Sequence, residues 1–199
     1  MITLGDAVAD LYRIAIAEKK SRSTKRLDLL ADLCVQELDR RGLRDAEKEV
    51  AVPGIGRHKK WDVAWRHGGK FRLGISLKSL LANIPGTVPN RADDLMGEMA
   101  NVQLRSPEIV SGYIMVFDLN AAPPRKDGQL WVDVLRSYLD RIDGRAAPAW
   151  AAGMVEAMAI VEVGFAEGPR LVRPQDLDPF FDRLAATVKE RNPSADDWH

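Results

Sequence analysis

Apolar residues recur at helical spacing over residues 3–18 (Leu4, Val8, Leu11, Ile14) and again over residues 24–41 (Leu27, Leu30, Leu33, Cys34, Leu38), where Gly42 ends the pattern. Two helices are therefore expected to open the chain. The period then changes. "KEVAVPGIG", "KKWDVAW" and "KFRLGISLKSL" are short β-type runs, and Gly68-Gly69 between the last two suits a tight hairpin turn. In the third run Phe71, Leu73, Ile75 and Leu77 alternate with Arg72, Gly74, Ser76 and Lys78, so one face is apolar and the other ends in a lysine.

A polar loop with Pro85, Gly86 and Pro89 should follow, and then a helix over "NRADDLMGEMANVQLR" with Asn90 as its N-cap. "SGYIMVFDL" reads as a central strand covered on both faces. A helix from Trp131 to Asp143, a strand in "EAMAIVEVGF" and a last helix from Asp176 to Arg191 complete the pattern, with the tail "NPSADDWH" expected to fray. The order α, α, β-meander, α, β, α, β, α predicts an α/β (α+β) fold, a mixed central sheet flanked by helices. With no linker or repeat, residues 1–199 are expected to form one domain: an N-terminal helix to residue 23, a core over residues 24–170, and a C-terminal helix and tail.

Composition narrows the chemistry. Hydrophobic residues make up 46% of the 199, enough for a real core. Lys+Arg and Asp+Glu number 29 each, so any nucleic-acid footprint must be a local patch. The single cysteine, Cys34, excludes a disulfide framework and a cysteine-based zinc cluster, which points to a reducing, cytoplasmic setting. The first 20 residues resemble neither a signal peptide nor a membrane span, so no membrane partner is expected.

Residues two apart on a strand share a face. Lys60, Asp62 and Ala64 therefore point one way, with Trp61, Val63 and Trp65 on the other, and Asp62, placed near Gly74 across the hairpin, can meet Ser76 and Lys78. A one-residue slip would put the carboxylate on the wrong face. An aspartate, a main-chain carbonyl and a lysine around one small volume suit a hydrated hard cation, which needs a further carboxylate. Glu98 on the following helix is the best source, with Asp94 as the fallback.

The order Asp62, "SLK" at a strand end, then "NRADDLMGEMANVQ" resembles the PD-(D/E)XK nuclease superfamily, to which many restriction endonucleases belong. The resemblance covers about residues 27–120. In the common pattern an acidic residue stands two before the lysine, where this chain has Ser76, and a proline often precedes the aspartate, where it has Trp61. The resemblance is closest to restriction enzymes with "SxK" that take the missing carboxylate from the next helix, and it implies that role for Glu98. Members often add a glutamate from a helix before the sheet, and Glu37 is the matching position.

What the resemblance implies is a restriction endonuclease-like fold and hydrolysis of phosphodiester bonds in double-stranded DNA, in restriction or another defence against foreign DNA. Asp62, Glu98 and the Leu77 carbonyl would hold Mg2+, with Mn2+ able to substitute. Lys78 would orient the attacking water, and Ser76 would bond a metal water or leave room for Glu98. The basic stretch "RHKKWDVAWRHGGKFR" offers Arg57, Lys59 and Lys60 as phosphate contacts, and Arg91 on the next helix joins them. Cutting two strands with one site per chain favours a homodimer or tetramer, joined through the last helix or residues 144–152. The rival is a module of the same fold that binds DNA or protein without cutting. Glu37 serves equally as an ion-pair partner of a neighbouring Arg or Lys. "PGIGRHKK" lacks the spacing of a phosphate-binding loop and reads as a turn, and His58 and His67 read as surface residues.

Overall fold

The computed structural model describes residues 1–192, so the expectation for the tail from residue 193 onward lies outside the described residues. Among the described residues six strands form one mixed sheet in the order β1 (Glu47–Val52), β2 (Lys59–His67), β3 (Lys70–Leu80), β4 (Val110–Asp118), β5 (Ala157–Gly164) and β6 (Arg170–Leu171). The first three are an antiparallel meander, β4 and β5 run parallel to β3, and β6 returns antiparallel. The expected mixed α/β architecture is thus present.

Among the described residues five α-helices cover the two faces: α1 (Leu4–Tyr12), α2 (Asp28–Arg40), α3 (Ile84–Gln103), α4 (Trp131–Leu139) and α5 (Asp178–Arg191). The meander is joined to β4 through α3, and β4 to β5 through α4, because parallel neighbours need a crossover. Apolar residues separate into two cores, one on each side of the sheet. Val63, Leu73, Ile75 and Leu77 point to α1, α2 and α5, while Ala64, Tyr113, Met115 and Phe117 point to α3 and α4. β4 is buried along its whole length, as a central strand covered on both faces must be.

The start of α3 departs from expectation. It begins at Ile84, six residues before Asn90, with Asn83 in a left-handed conformation before it. Pro85 falls in the first turn, where no intrahelical N–H is needed, and the helix continues through Pro89. Ile84 and Val88 are fully buried on this stretch, and that burial outweighs the break that Pro89 would otherwise impose. Two other helices are shorter than the sequence pattern: α4 stops at Leu139 and α5 starts at Asp178. No helix among the described residues is long and apolar enough to cross a membrane.

The hairpin register sets the geometry around Asp62. His67 pairs with Lys70 across Gly68 and Gly69, both at positive φ, which alone would bring Asp62 opposite Ile75 on the wrong face. A β-bulge intervenes: Arg66 pairs with Phe71 but Trp65 pairs with Leu73, so β3 spends one extra residue, Arg72. Ala64 then meets Gly74, where Asp62 was expected, and the same register continued one step past the last pair, Val63 with Ile75, leads from Asp62 to Ser76. The register moves by two from expectation, so the face is kept.

Candidate active site

Pairing between β2 and β3 runs only to Val63, and on the other side the β1–β2 register passes over Glu49 and Asp62, Glu49 standing at a left-handed φ of 58°. Asp62 thus sits where the ladder opens. Its Oδ2 accepts a hydrogen bond from the Leu77 N–H at 2.7 Å, replacing the missing backbone partner. A strand residue presents its N–H and C=O to the same edge, so the Leu77 carbonyl opens onto the same gap.

This opening corrects one expectation. Trp61 does not share a face with Val63 and Trp65; it joins the α3/α4 core with Ala64, because strict alternation is lost where β2 leaves β3. Its ring lies on Gly74, at which an added Cβ would stand 2.1 Å from a ring carbon. Gly74 is therefore the space that Trp61 fills.

From the face of β3 that looks toward α3, Lys78 donates from Nζ to Ser76 Oγ at 3.0 Å, and Ser76 is itself buried. The Lys78 ammonium lies 3.9 Å from Asp62 Oδ2 and 3.9 Å from Glu98 Oε2, so one cation borders both carboxylates. Glu98 projects from α3, whose Leu95, Met99 and Val102 fix the helix against the sheet. Lys59 closes the other side, its Nζ 2.5 Å from Glu98 Oε1. The side chains of Glu98, Lys59, Lys78 and Asp62 are all at least two-thirds covered. Burial pushes the Asp62 carboxyl above its ordinary value, against the pull of Lys78, the Leu77 N–H and Lys59, while Glu98 adds to the rise.

Asp62 and Glu98 suit a hard cation. Both offer oxygen ligands, and Glu98 Oε2 is buried with no hydrogen bond, an acceptor left for a further ligand. No group of three or more His, Cys, Asp or Glu that could hold a metal ion is present among the described residues.

The other candidates divide. Asp94, the fallback, is largely exposed and pairs with Arg91 at 3.2 Å, whereas Glu98 is the α3 carboxylate beside Lys78. Glu37 is not brought to the site. It bonds Arg40 at 3.1 Å and Arg41 at 2.6 Å, and Arg41 in turn holds Asp178 and Asp182 of α5. Glu37 therefore ties α2 to α5, the ion-pair reading of this residue. Lys60 reaches away to Glu49 on β1. Arg57 lies in an open cleft of about 510 Å3 shared with Glu98, Asp94 and Asn101.

Asn101 escaped the sequence reading. Its Oδ1 accepts from the Gly56 N–H and its Nδ2 donates to the Arg57 carbonyl, both at 2.9 Å, while Ile55 N–H bonds its own carbonyl at 2.7 Å. The "PGIGR" turn is thereby pinned to α3 one helical turn from Glu98. Gly54 permits the approach, since a Cβ there would lie 2.0 Å from Asn101. Arg26, in the 3-10 turn Thr24–Leu27 before α2, was also unforeseen: its Nε donates to Ser79 Oγ at 3.1 Å, beside Lys78.

No family model, curated protein or solved structure matches this chain.

Proposed function

We propose that the protein is a magnesium-dependent DNA endonuclease of the PD-(D/E)XK type, in the variant whose second carboxylate comes from the helix after the lysine strand. The observation that carries this reading is the placement of Asp62 and Glu98, 36 residues apart in sequence, each 3.9 Å from the Lys78 ammonium. A solvated lysine at a strand end has no reason to gather two largely covered carboxylates from two elements.

Bound magnesium would polarise the phosphoryl group and lower the pKa of a coordinated water. Asp62 and Glu98 would hold it, with the Leu77 carbonyl at the same edge. Lys78 carries a compact ammonium that can orient the attacking water and offset charge developing on the phosphate, a role poorly served by a planar guanidinium. Ser76 fixes that ammonium through its hydroxyl, and its small side chain leaves Glu98 room to approach. Arg57, with Lys59 once released from Glu98, would face the backbone of a duplex. Cleavage of both strands would use two copies of the chain.

A second reading, a non-cutting DNA- or protein-binding module, is favoured by the Lys59–Glu98 contact, which fills one carboxylate with a protein cation. One experiment separates them. Modified and unmodified duplex DNA is incubated with the protein in magnesium or in chelator, beside Lys78→Ala and Glu98→Ala. Cleavage that needs the metal and is lost in both variants supports the enzyme. Unchanged cutting by Glu98→Ala rejects the displaced carboxylate, and DNA retained but never cut by wild type favours the module.

A further inference from the structure

The turn between α1 and α2 reads "KKSRSTKR", Lys19 to Arg26, with five cations and no acid in eight residues of a chain whose total charges balance. Lys19, Lys20, Arg22 and Lys25 are exposed. Lys20 turns back to Glu18 at 2.8 Å, but no carboxylate pairs with Lys19, Arg22, Lys25 or Arg26 among the described residues. The basic stretch expected to grip DNA is different. Lys59 meets Glu98, Lys60 meets Glu49, Arg66 meets Glu47 and Arg72 meets Glu108, and Arg91 on α3 meets Asp94. Much of that charge is already answered within the protein, whereas the charge of the turn is not.

The turn is also fixed, and fixed beside the site. Its backbone closes from the Ser23 N–H to the Lys20 carbonyl at 2.9 Å, and Ser23 Oγ accepts from the Lys25 N–H at 3.2 Å where the 3-10 turn begins. Arg26 is the strut. Its Nη1 donates to the Ser23 carbonyl at 2.8 Å and its Nε to Ser79 Oγ at 3.1 Å. Ser79 directly follows Lys78, whose ammonium borders Asp62 and Glu98. Adjacent residues of β3 thus hold the anchor of the turn and the lysine of the site. Leu27 packs into the α1/α2/α5 core, so the turn stands on that side of the sheet, while Arg57 shares a cleft with Glu98 on the α3 side.

We propose that this turn, through Lys19, Arg22 and Lys25, is a contact surface for the phosphate backbone of duplex DNA, set beside the Asp62–Lys78–Glu98 site by the Arg26–Ser79 bond. It rests on the nuclease reading for its ligand. Exposed cations with no counter-ion of their own suit a polyanion, which meets several of them at once and releases its condensed ions in doing so. Such contacts position a duplex and carry no base information, so the turn sets where the strand lies and leaves the sequence to other groups.

The test measures binding separately from cutting. Fluorescence anisotropy of two labelled duplexes of unrelated sequence, with calcium in place of magnesium, is recorded over a salt series for wild type and for the combined variant Lys19→Gln, Arg22→Gln, Lys25→Gln. A control, Arg105→Gln, Arg141→Gln, Lys189→Gln, removes as many exposed cations elsewhere. Thermal melting confirms that each variant is folded. The turn variant is expected to bind both duplexes at least tenfold more weakly and to flatten the salt slope by about 2.7, the share of three phosphate contacts, with the control close to wild type. An equal loss in the control would overturn the surface in favour of net charge alone. Unchanged duplex binding in the turn variant, with binding to phosphatidylserine vesicles lost, would overturn it in favour of a membrane surface. Wild-type affinity and slope in the turn variant, with metal-dependent cleavage still lost in Lys78→Ala, would overturn the surface and leave the nuclease standing. Duplex held through the turn but never cut would support the surface and reject the nuclease.

Discussion

Replacing Gly74 by alanine tests the site's foundation without assuming any activity. The added methyl would lie 2.1, 2.3 and 2.7 Å from three carbons of the Trp61 ring, where ordinary contact begins near 3.4 Å. The ring must move by more than an ångström, yet Trp61 is 1% exposed and closed in by Ala64, Val52 and the apolar face of α3. If the core yields, the cost is that of overpacking, about 1–3 kcal/mol. If the ring is expelled, it gives up burial of about 150–250 Å2, or about 4–6 kcal/mol at 25 cal/mol per Å2. We expect a loss of about 2–4 kcal/mol, since partial tilting lies between these limits. Urea denaturation of wild type and Gly74→Ala measures it directly. In Trp61→Leu the same alanine should cost at least 1 kcal/mol less, the signature of a pair in contact. A Gly74→Ala protein within 0.5 kcal/mol of wild type, with an unchanged slope, would refute the placement of Trp61 and the opening of the strand beside Asp62.

Lys59→Met removes the ammonium from Glu98 and should tighten calcium or manganese binding by roughly fivefold, as expected for about 1 kcal/mol of ion pair; titration calorimetry without DNA reads it, and unchanged affinity would contradict the contact. Glu156→Ala should destabilise by about 3–5 kcal/mol in thermal or urea melts, because its side chain is 1% exposed and, among the described residues, it is the carboxylate that pairs with both Arg145 at 2.9 Å and Arg191 at 2.7 Å, so its loss leaves two buried cations without a counter-ion. Asp118 accepts N–H bonds from Asn120 and Phe165, but burial raises its pKa above 3.8. The folded state thus holds its proton more tightly than the unfolded state, a contribution complete below pH 3.8 and lost as pH rises through the raised value. Asp118→Asn should therefore gain stability relative to wild type as pH rises through that window, and a difference in melting temperature that is flat with pH would refute this.

Much of the frame was legible in the pattern of apolar positions. The meander, its Gly68-Gly69 turn and the buried β4 follow from period, which local sequence carries, whereas Asp62 keeps its face only through the bulge at Arg72, which no turn signal announces. Glu98 was legible because Leu95, Met99 and Val102 fix the helix face it borders. Two prolines hid the first turns of α3, since burial of Ile84 and Val88 is a tertiary effect that no turn signal reports. The face of Trp61 was misread because alternation holds only while a strand stays paired. For Glu37 the signal was present: Arg40 and Arg41 stand three and four residues on, at helical ion-pair spacing. Arg26 and Asn101 sit in no motif, and their partners are 53 and 44 residues away. Only the folded chain brings such pairs together.

The bulge at Arg72 uncouples the length of the hairpin from the facing of Asp62 and Lys78. Adding or removing one cross-strand pair of residues near the turn would change the interval between them by two and leave every pair beyond it intact. Deleting Arg72 alone would change it by one, yet the bulge would go with the residue: Trp65 would still meet Leu73 and Ala64 would still meet Gly74, so Asp62 would keep its side of the sheet. Relatives with hairpins of different length are therefore to be compared by the pairs beyond the bulge, and a fixed spacing would discard chains in which the same chemistry is intact.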